Sequence, residues 1–310
     1  MAEDALVAAA MQAFRRLARP LDLKLGQFSA TVMSASDDPP HAVLRLTDGD
    51  RVLILKWHSQ PKAVRELVKS AEAQTAARIA LQGVPGLHVP RVLATGFAEK
   101  AVLLEPPIGH PLEDAGADLG RAAHWLDMFH AKTLTAPRAF QPRFMQAHVE
   151  RMAADAARRP KSLPDADGFQ RCASLILQQA DRVEGSRIAI AQSHGNFAAR
   201  TVHLTAEGVW VDDFRPSNAA PVAFDAARLL MDMMHLSDIP PDGGLPVSIL
   251  DGFFARYTHL APDDPVLNFL LKTRLLAEWR TIPANPVTRN ARQARRWQAL
   301  QALAPKLLGR

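Results

Sequence analysis

A single cysteine, Cys172, is all the thiol that the 310 residues carry. It cannot close an internal disulfide and has no zinc-ligand partner. A disulfide framework and a cysteine-built zinc site are therefore excluded, and a reducing cytosol is expected. Long apolar runs are also missing: none approaches the roughly 20 residues of a membrane-spanning helix. The start, Met1-Ala2-Glu3-Asp4, is acidic and lacks the basic and apolar regions of a signal peptide. The expectation is a cytoplasmic protein with no membrane partner. Neither a glycine-rich dinucleotide fingerprint nor a Walker-type loop occurs, and there is no internal repeat or low-complexity segment. What is present is globular in character: 48% hydrophobic and 22% charged residues are enough for a sizeable core. The net charge of +5 suits a solvated surface or anionic ligands better than nucleic acid.

Residues 5–18 place Leu6, Ala10, Phe14 and Leu17 at helical intervals before Pro20. Three strand-like stretches follow, 27–34, 41–46 and 51–57, with Asp48-Gly49 a hairpin signal between the last two. A helix over 62–81, closed by Gly83 and Pro85, precedes strands 91–96 and 101–105. At Glu105-Pro106-Pro107-Ile108-Gly109-His110-Pro111 the prolines and glycine forbid both helix and central strand, so 105–111 reads as a hinge. Beyond it the pattern is helical at 118–132, 143–158, 168–184, 224–235, 246–259, 265–280 and 288–303, with a strand-loop-strand region at 188–214. The prediction is an α+β chain of two lobes: a small antiparallel-sheet N-terminal lobe (1–104), the hinge, and a larger helical C-terminal lobe (112–310) carrying a catalytic-type loop at 192–214.

Lys56 closes the apolar third strand, where an ammonium can meet phosphate oxygens; a lysine reaching to solvent is the plainer alternative. Glu72 and Glu66 lie on the following helix as acids that could pair with it, although helix glutamates are usually solvated. Residues 102–107, with Glu105 and Pro107, carry the last apolar strand into the proline-rich connector. The most informative stretch is Gln192-Ser193-His194-Gly195-Asn196-Phe197-Ala198-Ala199-Arg200-Thr201, followed after a strand and turn by Trp210-Val211-Asp212-Asp213-Phe214. Asp225 stands near the start of a later helix, and Leu126 to Ala131 forms a Leu- and His-containing helix before the loop.

From about residue 27 to about 230 this order resembles the aminoglycoside phosphotransferase and choline kinase-like family, whose loop reads His-Gly-Asp-x-x-x-x-Asn. The resemblance implies a protein kinase-like fold, ATP and magnesium as cofactors, and a small-molecule hydroxyl as phosphoryl acceptor. It places Asn196, His194 and Arg200 in the catalytic loop. Lys56, Glu72, Glu105 and Pro107 would lie around nucleotide, and Asp213 and Thr201 at the metal. His194 would brace the loop by hydrogen bonding, and Asp225 would be a structural anchor or helix cap.

Three positions depart from the family pattern. Asn196 stands where the family has the aspartate that accepts the substrate proton, and an amide offers no carboxylate for that task. Thr201 replaces the metal-binding asparagine. The segment 34–40, expected to be the phosphate-cradling loop, has no glycine, two acids and two prolines. Alternating strand geometry would let only one of Asp212 and Asp213 face the cleft. Two functions follow: a pseudokinase that binds nucleotide or regulates a protein partner, and an active phosphotransferase working without its base. A third reading, a scaffold or nucleic-acid binder, rests only on Arg289, Arg292, Arg295 and Arg296 around Trp297. Such a helix would dock its Trp and Leu face and leave the arginines in water. His124, His130 and His203 lack ligand spacing with a partner and read as packing or surface residues.

Overall fold

The computed structural model describes residues 3–21, 23, 28–49, 51–113, 117–216, 218–236 and 247–307. In chain order the elements begin α1 (Glu3–Ala18), β1 (Ser29–Asp37), β2 (Pro40–Asp48), β3 (Arg51–His58), α2 (Pro61–Ala80), β4 (Leu87–His88), β5 (Val92–Gly96), β6 (Ala101–Leu104) and β7 (His110–Pro111). They continue α3 (Ala117–Thr133), β8 (Thr135–Ala139), α4 (Arg143–Arg158), α5 (Ala166–Val183), β9 (Arg187–Gln192), β10 (Val202–Leu204), β11 (Val209–Val211) and β12 (Ala219–Pro221). The last are α6 (Ala223–Leu236), α7 (Val247–Phe254), α8 (Pro265–Trp279) and α9 (Ala291–Leu307). The chain is α+β, as its pattern predicts. It divides into two compact units: residues 1–111, 194–196 and 201–218 make the first, and 112–193, 197–200 and 219–310 the second.

In the first unit an antiparallel sheet runs β1-β2-β3-β6-β5. Its two faces follow from alternation along β3, where Leu53, Leu55 and Trp57 are buried on one side. There they pack with Leu44, Leu46 and Leu103 and with α1, whose Leu6, Ala10, Phe14 and Leu17 form one helical stripe. Burying Phe14 completely contributes about 1.5–3 kcal/mol. The opposite face holds Ile54, Val102 and Leu104 against Leu67 and Ala71 of α2. Lys56 sits on this second face, across from Val43 and Val102. A small sheet, β4-β11-β10-β7, completes the unit.

Two sequence expectations change here. Segment 34–40 is not a loop: residues 34–37 belong to β1, which pairs with β2 through Asp37↔Pro40 and leaves only Asp38-Pro39 as the turn. Extended backbone turns successive N–H groups to opposite sides and so does not gather them on one anion as a phosphate cradle does. The strand expected to begin at Gln27 has its start outside the described residues, as does Asp50 in the expected hairpin turn. The third strand continues past Lys56 to His58.

The second unit is built around α8, which buries ten of its fifteen residues against α5 and α6. Asp264 starts it: its carboxylate accepts from the N–H groups of Val266 (2.9 Å) and Leu267 (2.8 Å), with Pro265 pre-set in the first turn. A three-stranded sheet, β12-β9-β8, flanks the helices. Two helices differ from expectation. The one predicted over 246–259 stops at Phe254, and Pro246 lies outside the described residues. Downstream, Asp127 captures the Thr258 N–H (2.7 Å) and hydroxyl (2.9 Å), which fixes the chain off the helical path. The one predicted from 288 starts at 291, because Asn290 and Gln293 form a reciprocal capping box (2.9 and 3.0 Å).

Candidate functional site

The loop after β9 turns at Gly195, whose φ of +72° is a left-handed conformation. A Cβ there would sit 2.9 Å from Arg215 Cβ, so conformation and close approach both demand glycine. His194 is fully buried, and both its ring nitrogens meet backbone groups. The Asn196 N–H donates to Nδ1 (3.1 Å), so Nδ1 carries no proton and Nε2–H donates to the Asp212 carbonyl (2.9 Å). Packed against Phe214 at 4.1 Å between ring centroids, His194 fastens the loop to the segment after β11.

That segment places Asp213. The residue follows β11 and adopts φ +57°, a conformation aspartate tolerates better than most side chains. Lys56 Nζ donates to Asp213 Oδ1 at 2.7 Å. The Asn196 amide nitrogen donates to Asp213 Oδ2, also at 2.7 Å, and to the Asp213 carbonyl at 3.3 Å. Both oxygens of the carboxylate therefore accept short hydrogen bonds from protein donors. Burial works to raise the Asp213 pKa, but the Lys56 charge and hydrogen bond, with Arg215 adding, outweigh it and hold the carboxyl below its usual range. Asp212 faces elsewhere, its carboxylate 3.5 Å from His203. The two acids do diverge, through the left-handed turn at Asp213 rather than strand alternation, since β11 ends at Val211.

The remaining sequence candidates divide. Thr201 is buried and its hydroxyl donates to the Asn196 carbonyl (3.2 Å), which spends it inside the loop. The Lys56–Glu72 pair is not formed: Glu72 is exposed, one residue past the buried Ala71 and about 100° around the helix, and Lys56 has Asp213. Glu105 pairs with Arg91 (2.9 Å), and its own N–H donates to the Arg91 carbonyl (2.9 Å). Pro106 and Pro107 carry no N–H, so between 105 and 107 the backbone offers a ligand carbonyl acceptors only. Arg200 belongs to the second unit and lines a cavity there.

The resemblance implies magnesium at Asp213 and Thr201, and the donor set does not fit one. Magnesium is held by several oxygens, carboxylates foremost. Hydrogen bonding leaves lone pairs on both residues, but Asp213 is the one carboxylate of the pair, and its charge is met by Lys56 at 2.7 Å. Among the described residues no group of three or more His, Cys, Asp or Glu side chains converges.

Two groupings escaped the sequence. In the second unit His130 is buried with Asp225 (3.4 Å from Nε2) and Tyr257 (2.7 Å from Nδ1), and Ser193 Oγ donates to Asp225 (3.1 Å). Asp225 thus ties α3, α6 and the start of the loop, the role of an anchor. Burial, then Asp225 and Asp127, push the Tyr257 phenol well above its ordinary value. The partners lie 95 and 127 residues from His130, so no local spacing signals them. The second grouping concerns the basic helix. Arg296 is not in water: it meets Glu278 (3.0 Å) and Asp232 (3.8 Å), while Arg289 stacks over Trp297 (5.3 Å).

No protein-family profile matches the sequence, and no curated protein matches it. Solved structures do. A microcompartment-associated aminopropanol kinase is 16% identical with a TM-score of 0.64, covering 97% of this chain and 95% of that one. An aminoglycoside-3'-phosphotransferase of type VIII is 19% identical with a TM-score of 0.56, over 86% and 98%. A choline kinase from Streptococcus pneumoniae is 11% identical with a TM-score of 0.58, over 94% and 98%. No helix among the described residues is long and apolar enough to cross a membrane. The chain has the kinase-like fold shared by aminoglycoside phosphotransferases, choline kinase and aminopropanol kinase.

Proposed function

We propose that this chain is a catalytically impaired relative of the small-molecule kinases that binds nucleotide without efficient phosphoryl transfer. One observation carries the reading: both oxygens of Asp213 accept 2.7 Å hydrogen bonds, from Lys56 and from Asn196. In a working site of this fold, the residue at 196 would take the acceptor's proton and Asp213 would hold a divalent cation. An amide has no basic lone pair for the first task. By donating to Asp213 it also stands in for the positive charge that the second would supply. His194 cannot substitute as a base, because its nitrogens serve the Asn196 N–H and the Asp212 carbonyl. Lys56 is left as the group that meets phosphate, in a site whose charge is balanced without metal.

The test is thermal melting with ATP, together with a transfer assay on small amino alcohols and aminoglycosides, the classes that the similar structures' names suggest. The expected result is a rise in melting temperature with ATP, with wild-type turnover of about 1 s⁻¹ at most. That ceiling follows from kinase rates of about 1–100 s⁻¹ reduced roughly 10²–10⁴-fold by loss of a base. Wild-type turnover above about 1 s⁻¹ on any acceptor establishes an active phosphotransferase instead.

A further inference from the structure

Three helices of the second unit converge on one cavity of about 450 Å³, each contributing residues four apart: Arg228 and Asp232 from α6, Arg274 and Glu278 from α8, Arg292 and Arg296 from α9. Arg200 adds a fifth guanidinium. Five arginines against two carboxylates leave a net charge of +3 (five minus two). The distribution is more uneven than that sum. Arg296 reaches both acids, at 3.0 Å from Glu278 and 3.8 Å from Asp232, although the Glu278 contact is not aligned as a hydrogen bond. Among the described residues, Arg228, Arg274 and Arg292 have no carboxylate within 4.0 Å. Among the described residues, Arg228 Nε is buried with no hydrogen-bond partner.

Like charges do not gather in a half-buried space without cost. Burial, then Arg274 and Arg200, lower the Arg228 pKa, and burial also lowers that of Arg274. A ligand supplying negative charge and acceptor oxygens would relieve the repulsion and satisfy the orphan donor. Guanidinium forks match the oxygens of phosphate in pairs. The volume suits a small molecule rather than a peptide or a nucleic-acid strand.

We propose that this cavity binds a small phosphate-bearing anion of two or more negative charges. The ligand is held by Arg228, Arg274 and Arg292, with Arg200 at the same cavity. Asp232 and Glu278 hold Arg296 back and set the balance of charge. The site does not rest on nucleotide binding at Lys56, since all its residues belong to the second unit.

Isothermal titration of the full chain with inorganic pyrophosphate tests it, with tricarballylate as the carboxylate comparison. Pyrophosphate is expected to bind, and more tightly than tricarballylate. Arg274→Gln and Arg228→Gln should each weaken binding by about tenfold to a hundredfold, the effect of one charge-assisted contact. Because a loss can also come from misfolding, Glu278→Gln supplies the opposite sign: it removes a competing anion and should tighten binding severalfold. Circular dichroism and melting of each ligand-free variant check the fold. No binding at millimolar pyrophosphate, equal or tighter binding of tricarballylate, or undiminished binding by Arg274→Gln would each overturn the proposal.

Discussion

Replacing Asn196 by aspartate restores the family's loop residue and yet should destabilise this protein. Asn196 is 1% exposed, and its amide nitrogen lies 2.7 Å from Asp213 Oδ2. In Asn196→Asp an oxygen takes the donor's place. The lost hydrogen bond to a charged group costs about 1.5–3 kcal/mol. Two carboxylates some 3 Å apart repel by roughly 5 kcal/mol at an effective dielectric constant near 20. The pair escapes part of this by binding a proton, which above pH 4 costs about 1.4 kcal/mol per pH unit, or roughly 4 kcal/mol at pH 7. The bound proton also restores a hydrogen bond between the two carboxyls, so the proton cost sets the destabilisation, about 4 kcal/mol at pH 7. The sign with pH follows. In the variant one folded-state carboxyl pKa is raised, so the folded state binds more protons than the unfolded one, and stability falls as pH rises from about 4 toward the raised value. Urea denaturation of wild type and variant at pH 5, 6 and 7, without divalent cations, measures the difference. It should shrink to about 1.5 kcal/mol at pH 5. A difference below about 0.5 kcal/mol at pH 7, or one that does not change with pH, refutes the hydrogen-bonded arrangement at Asp213.

Two further outcomes are expected. The folded-state carboxyl pKa of Asp213 is lowered, so the stability it contributes is present above the usual carboxylate range and is lost as pH falls through the lowered value. In Lys56→Met burial is no longer outweighed and the Asp213 titration moves up, observable by carbon-detected NMR of the side-chain carboxyl. The side chain is 41% exposed, so the stability change stays below about 1 kcal/mol. Gly195→Ala places a Cβ 2.9 Å from Arg215 Cβ at a φ of +72° and should cost about 2–3 kcal/mol in a denaturant titration.

Much of the fold was readable because it rests on local periodicity. The stripe Leu6, Ala10, Phe14 and Leu17 and the alternation Leu53, Leu55, Trp57 each specify an element and its buried face without outside help. The loop motif, read with its downstream Asp213, located the residues that meet around Lys56. What the sequence hid was pairing. Lys56 had two candidate glutamates nearby on the next helix, but its partner lies 157 residues away, and Glu72 falls on the exposed side of α2. The turn at 34–40 read as a loop from its prolines, although pairing between β1 and β2 holds most of it extended. Asn290 and Gln293 carry a visible capping signal that gives the true start of α9. The arginine cavity is the clearest case. Arg228/Asp232, Arg274/Glu278 and Arg292/Arg296 each look like a solvated helix face, and only tertiary packing turns the three pairs toward one space.

The central claim is that Asn196 takes the place of a cation at Asp213. Titration calorimetry of ATP into wild type and Asn196→Asp, in excess magnesium and in chelator, tests it most directly. The account predicts that wild type binds ATP with an affinity that magnesium changes by less than about threefold, while the variant binds at least tenfold more tightly with the metal. Magnesium dependence in wild type as large as in the variant would contradict it.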